Sequence, residues 1–262
     1  MQALVVESPP TTPPAFDYDQ IPLGYYDEVM RTGHPVRRCW HRQKFQRALA
    51  ALPPGPGLSV LDIGCFAGTF LGMLPGDRFP RQLGVDIIPK QIEWAASHYA
   101  APYREFRAIP GLSALADLGE TFDCVTLIEV LEHLSAEEIR ALLGHVGRLL
   151  KPGGRFLMTT PNYASAWPLL ERILNRASDV KYEEQHLSKF TYPGFERQLR
   201  AISPGFERDL ELELKTTSHL LSPFVGAISE PLAMWLSRCR DPGQWRFPFG
   251  SLILARFRKT EG

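Results

Sequence analysis

Five short apolar runs, "LSVLDIG", "RQLGVDII", "YREFRA", "FDCVTLIE" and "RFLMTT", each preceded or followed by a segment of helical character, constrain this chain more than any other feature. "FAGTFLGML", "PKQIEWAASHYA" with Pro89 in its first turn, and "SAEEIRALLGHVGRLL" read as helices between them, the last opened by a Ser135–Glu138 capping box and closed by "KPGG". Upstream, "HPVRRCWHRQKFQRALAAL" is expected to be helical from about Val36 to Leu52, where "PPGPG" stops it. Strands alternating with helices imply parallel pairing, right-handed crossovers and helices on both faces of one doubly wound α/β sheet. Residues 161–190, and residues 218–250 between "DLELELKTT" and "SLILARFRK", fall outside the alternation and read as lid or substrate insertions. Residues 1–15, with four prolines, read as a disordered arm, leaving 16–262 as one domain with a helical cap over 16–52.

Composition narrows the partners. Lysine plus arginine equals aspartate plus glutamate, 29 each, so no global field draws the chain to nucleic acid or an anionic membrane. Cys39, Cys65, Cys124 and Cys239 contain no C-x-x-C pair, and Cys65 and Cys124 sit in apolar strand-like runs that suit buried, reduced thiols. "MQALVVESPPTTPPAF" lacks a basic region followed by a long apolar run, so a cytoplasmic protein is expected.

"VLDIGCFAGTF" places Asp62, Gly64 and Gly68 at a strand-to-helix turn, where small residues let the backbone approach a ligand and a helix amino end offers free N–H groups. Asp86 ends the second strand, where a carboxylate can accept hydrogen bonds from a ribose diol. These features fit either a dinucleotide or an adenosine-containing cofactor.

Taken in order, "LDIGCFAG", "GVDI", "FDCVTLIEVLEHL" and "LLKPGGRFLMTTPN" closely resemble the class I S-adenosylmethionine-dependent methyltransferases, over roughly residues 58–162. A dehydrogenase would be expected to show G-x-G-x-x-G and has no use for the "LKPGG" turn. The resemblance implies a Rossmann-like, mostly parallel seven-stranded sheet whose antiparallel last strand is "SLILARFRK". It further implies that Asp62, Gly64, Cys65, Phe66 and Gly68 border the methionine and ribose of the cofactor, with Glu129 on the same crevice. Asp86 would bind the ribose hydroxyls and Ile87 would lie against the adenine. The family usually has glycine where this chain has Phe66, which is expected to pack under the loop. A non-catalytic binding module that kept the fold is the reading such a departure leaves open.

"LIEVLEHL" crowds Glu129, Glu132 and His133 beyond the carboxyl end of the fourth strand, the end at which open parallel sheets bind ligands. Helical spacing would bring the three side chains together, either to brace the turn or to act on a substrate. E-x-x-E-H followed by "TPNY" and "HLSKFT" resembles the O-methyltransferases of ubiquinone biosynthesis and the small-RNA 3′-end ribose 2′-O-methyltransferases. That likeness implies a divalent metal, magnesium or manganese, on Glu129, Glu132, His133 and His186. Without a metal, His133 or His186 is the expected general base, with Glu129 beside them.

The expected acceptor is a small, partly apolar metabolite methylated on oxygen, with a catechol or a ribose as the alternative. Tyr163, Trp167, Leu170 and Ile173, with the amino-terminal "IPLGYYDEV", would form an apolar lid. Arg37, Arg38, Arg42, Lys44 and Arg47 on the helix before the first strand form a basic face that could guide an anionic substrate; RNA is the less favoured partner. "HLLSPFVGAISEPLAMWL" is broken by Pro223, Glu230 and Pro231, which argues against a membrane span and leaves a second lid, a dimer contact or peripheral membrane contact. Monomer and homodimer are both compatible with the chain.

Overall fold

The computed structural model describes residues 21–168, 186–220, 222–239 and 249–260. The expected arm at 1–15, and Leu170 and Ile173 of the expected lid, lie outside these residues. Seven strands form one sheet: β1 (Ser59–Ile63), β2 (Arg81–Asp86), β3 (Arg104–Ala108), β4 (Phe122–Ile128), β5 (Leu150–Pro161), β6 (Leu210–Ser218) and β7 (Leu252–Lys259). Their order is β3-β2-β1-β4-β5-β7-β6. Strands β1 to β5 pair in parallel, and β7 runs antiparallel to both β5 and β6. This is the Rossmann-like, doubly wound sheet with an antiparallel last strand that the alternation and the resemblance lead one to expect.

Strand period two divides the core. Leu61, Leu83, Val125, Phe156 and Ile253 face one layer, with α5 (Ala136–Leu149) and α6 (Phe195–Ile202). Val60, Cys124, Leu157 and Leu254 face the other, with α2 (Pro35–Ala51) and α3 (Thr69–Gly72). Helix α4 (Pro89–Tyr99) starts at Pro89 and packs against β3 and α3. The capping box of α5 is present: Ser135 Oγ accepts from Glu138 N, and Glu138 Oε2 accepts from Ser135 N.

Three local outcomes differ from expectation. The helix read in "FAGTFLGML" is only four residues long, because the chain before it is spent on a left-handed turn. Strand β5 begins at Leu150 and carries "KPGG" within it, with a register shift opposite Phe122 and Cys124. Helix α2 is not a solvated basic face: Gln43, Lys44 and Phe45 are consecutively buried. Arg37 donates to the Tyr25 hydroxyl, Arg38 and Arg42 pair with Glu230, Arg47 donates to the Ser237 carbonyl, and Lys44 pairs with Glu129. All five cations expected to meet an anionic partner are engaged within the fold.

Helices α1 (Tyr25–Thr32), α7 (Ser222–Val225) and α8 (Glu230–Cys239) complete the described α-helices. Helices α7 and α8 both pack against α2. No described helix is long and apolar enough to cross a membrane. Cys39, Cys65 and Cys124 are buried free thiols.

Candidate active site

The site lies at the carboxyl ends of β1, β2, β4 and β5. Leaving β1, the chain passes through Gly64 at φ +72°, Phe66 at φ +50° and Gly68 at φ +74° before α3 starts. A side chain at Gly64 would meet Val130 Cγ2 at 2.4 Å, and one at Gly68 would meet Phe106 Cε1 at 2.6 Å. Both glycines are therefore required by backbone conformation and by packing together. Gly64 N and Cys65 N share the Val85 carbonyl, at 2.8 and 3.1 Å, which ties the turn to β2. Cys65 is buried beneath it, and burial pushes its thiol well up.

Asp86 braces the turn from the end of β2. Its Oδ2 accepts from Phe66 N at 2.7 Å and its Oδ1 from Ile88 N at 2.9 Å. Burial raises the Asp86 carboxyl against those amide hydrogen bonds. A carboxylate offers about four acceptor positions, so the neighbouring amides leave it acceptor capacity for a ligand hydroxyl. Ile87, beside it, is an apolar side chain left 52% exposed. Asp62 is buried and accepts from Thr126 Oγ1 at 2.6 Å; burial pushes its carboxyl up to about 7 despite that bond, with Asp86 adding to the rise. These positions fit an adenosine-containing ligand: an open-backboned turn, a carboxylate with spare acceptor capacity and an exposed apolar neighbour.

Helix α1 covers the turn. Asp27 accepts from Thr69 Oγ1 at 2.9 Å and from the Tyr99 hydroxyl, while the Tyr26 ring meets Phe66 edge-on at 5.6 Å. Phe66 therefore packs between the loop and α1. The apolar amino-terminal run signalled that this segment reaches the site, but Asp27's role is not visible in the sequence.

Beyond β4, Glu129 adopts φ +54°, and its N–H reaches the Thr159 carbonyl at 3.1 Å. Its carboxylate is ion-paired to Lys44, whose ammonium lies 4.1 Å from the Tyr26 ring centroid. Burial alone would raise Glu129, yet the charge and hydrogen bond of Lys44 hold it below the usual range.

Glu132, His133 and His186 do converge: one ligand atom from each lies within 4.8 Å of the others. Glu129 is not part of that group. The convergence is stitched by backbone, with Ser188 N donating to the Glu132 carbonyl at 2.9 Å and Ser188 Oγ to the Leu134 carbonyl at 2.7 Å. Glu132 is buried and accepts from Thr160 Oγ1 at 3.0 Å; burial pushes its carboxyl up to about 7, opposed by His186 and reinforced by Glu129. The Tyr163 hydroxyl lies 2.7 Å from His186 Nδ1. One carboxylate and two imidazoles make a mixed oxygen and nitrogen donor set that suits manganese or iron better than magnesium. The set fits a divalent ion and equally a proton-accepting site.

An aromatic wall adjoins this cluster. Trp167 lies 6.4 Å from His186 and 5.5 Å from Trp40, ring centroid to ring centroid, and Trp40 lies 4.5 Å from His219. His219 is buried at φ +64°; its Nε2 donates to the Trp40 carbonyl at 2.8 Å, so its Nδ1 accepts from Ser218 Oγ at 2.6 Å. Burial pushes its imidazole down to about 4. Nothing in the sequence pattern marked His219 or Trp40 as neighbours of the site.

A family model described as "Methyltransferase domain" matches residues 37–205. The chain is 33% identical over 214 residues to a ubiquinone biosynthesis O-methyltransferase of Rhizobium johnstonii, covering 79% of this chain and 80% of that protein. It is 28% identical over 227 residues to one of the same name from Azorhizobium caulinodans, covering 84% and 77%. Among solved structures, the N-methyltransferase NodS from Bradyrhizobium japonicum WM9 in complex with S-adenosyl-L-homocysteine shares the fold with a TM-score of 0.54 at 18% identity, covering 90% of this chain and 97% of that chain.

Proposed function

The chain belongs to the methyltransferase-domain family and is an S-adenosylmethionine-dependent methyltransferase, and on that premise we propose that it methylates a hydroxyl oxygen of a small, partly apolar metabolite. The convergence of Glu132, His133 and His186 carries the reading. The relatives named as O-methyltransferases support it.

The cofactor supplies an electrophilic methyl group, so the protein's task is to present a deprotonated oxygen in line with it. Asp62, Gly64, Cys65, Phe66 and Gly68 border the cofactor's methionine and ribose, Asp86 takes the ribose hydroxyls and Ile87 lies against the adenine. Glu129 keeps the rim of the crevice in place through Lys44. His133 or His186 removes the acceptor's proton, and Glu132 stabilises the resulting imidazolium. Trp40, Tyr163 and Trp167 supply the apolar surface against which the acceptor lies.

A second reading rests on the same three side chains, whose donor set fits a divalent ion. Glu132, His133 and His186 would hold it, and it would lower the pKa of a bound hydroxyl, as a catechol or ribose acceptor would need.

Labelling tests the first reading. With S-adenosyl-[methyl-¹³C]methionine and 1,2-dihydroxybenzene, the product is expected to show an O-methyl carbon by NMR; label on nitrogen or carbon of any acceptor turned over would overturn it. For the metal, activity after exhaustive chelation is compared with activity after Mn²⁺ is restored. Full activity in the stripped protein would remove that reading, and Glu132→Ala and His186→Ala should each abolish Mn²⁺ binding in calorimetry if it holds.

A further inference from the structure

We propose that Trp167 is a specificity-determining residue, whose indole N–H donates a hydrogen bond to an oxygen of the acceptor other than the one that is methylated. This rests on the hydroxyl-acceptor reading given above and adds to it what the acceptor must carry.

Trp167 is 7% exposed, and its Nε1 has no hydrogen-bond partner among the described residues. A buried donor without a partner costs roughly 1–3 kcal/mol, so native proteins seldom keep one without a use for it. Three other buried side-chain nitrogens lack partners among the described residues, on Arg38, His41 and Arg78. Each of those side chains has further polar atoms: Arg38 pairs with Glu230, Arg78 donates to the Leu52 and Pro53 carbonyls, and His41 has a second ring nitrogen. Tryptophan has a single polar atom, a donor only. In Trp167 that one atom is idle.

Its location gives the idle donor a role. The ring centroid is 6.4 Å from that of His186, one of the three side chains at the proposed reacting hydroxyl. The backbone that carries the indole is also anchored. Trp167 N donates to Ser165 Oγ at 3.0 Å, Ser165 Oγ donates to the Asn162 carbonyl at 2.6 Å, and the buried Asn162 side chain binds Gly250, Ala164 and Tyr192. A buried donor selects ligands strongly, because a ligand lacking the matching acceptor leaves the N–H unpaired. Only a lone-pair acceptor can satisfy an indole N–H, and on a hydroxylated metabolite that group is a second oxygen, such as a hydroxyl, a carbonyl or a carboxylate. The ring of Trp40, 5.5 Å away, extends the apolar face on which the acceptor's body rests.

The test compares two probes on the full chain, saturated with S-adenosylhomocysteine in metal-free buffer. Calorimetry is expected to show 1,2-dihydroxybenzene binding about tenfold more tightly than phenol. Trp167→Phe keeps the ring and deletes the donor, so it should bind the two probes equally while its affinity for S-adenosylhomocysteine stays unchanged. A variant that keeps the wild-type preference, or a wild type that has none, overturns the proposal. Should Trp167→Phe fail to bind S-adenosylhomocysteine, the ¹⁵N-labelled indole resonance of Trp167 in the wild type decides. It should shift with 1,2-dihydroxybenzene and not with phenol; an unmoved resonance overturns the proposal. The readings fail separately: a nitrogen-methylated product strikes the hydroxyl reading, whereas loss of the probe preference strikes Trp167 alone.

Discussion

Lys44, whose side chain is only 1% exposed, is ion-paired with the carboxylate of Glu129, joining helix α2 to the end of β4. Removing one partner of such a pair leaves the other charge buried and uncompensated, at a cost of about 3–5 kcal/mol. Lys44→Met is therefore expected to lose stability of that order in urea unfolding. The double variant Lys44→Met/Glu129→Gln should recover most of it, because no charge is then stranded. Equal losses in the single and double variants would show that Lys44 contributes through its packing against Tyr26 and Phe45 instead.

Phe66 occupies a left-handed conformation, φ +50°, that costs a non-glycine residue roughly 1–2 kcal/mol. Its ring recovers part of that through the edge contact with Tyr26 at 5.6 Å. Phe66→Gly relieves the strain but forfeits the contact and adds unfolded-state entropy, so stability should change by less than about 1 kcal/mol. Phe66→Val keeps the strain in a β-branched residue and loses the ring, and should cost about 2 kcal/mol or more. Thermal unfolding of the two variants side by side checks the ordering.

Asp62 ties stability to pH. Its folded-state carboxyl stands at about 7, raised by burial, against an ordinary value near 3.8. Between those values the folded chain binds more protons than the unfolded one, so stability falls as pH rises from about 4 to about 7 and then levels. The contribution is on the order of 4 kcal/mol. Asp62→Asn can still accept from Thr126 and should flatten this slope relative to wild type in urea titrations across that range.

What the sequence disclosed and what it withheld divide along physical lines. The sheet was legible because each strand is a short apolar run, such as Val60 to Ile63, set off by a helix with its own signals, such as Ser135 and Glu138. The gathering of Glu132, His133 and His186 could be anticipated only in part, since two sit on one turn and the third is brought in by Ser188. In the sequence Lys44 is one of five cations on a basic face, with nothing to set it apart. Helix α2 carries charged residues on nearly every side, so no apolar stripe marks which cation turns inward; that depends on Glu129, 85 residues away. Trp40 and His219 met near the site for a similar reason, through a contact spanning 179 residues that no local pattern encodes.

Tyr163 should be a positioning residue for the proposed reaction. Its hydroxyl engages His186 Nδ1 at 2.7 Å, so chemistry at that imidazole has to run through Nε2. Its own backbone N–H is anchored to the Phe190 carbonyl at 2.8 Å, in the segment that also carries His186. Tyr163→Phe keeps the ring and removes only the hydroxyl that orients the imidazole. Loss of such a second partner typically costs about 10–100-fold in activity. The variant is expected to lose kcat by about tenfold at the low end of that range, with KM for S-adenosylmethionine unchanged, because no cofactor contact is altered. Steady-state kinetics with the acceptor saturating would show the split. An unchanged kcat would mean that His186 is oriented by Ser188 and the backbone alone, and a matching rise in KM for the cofactor would place Tyr163 on the cofactor side of the crevice instead.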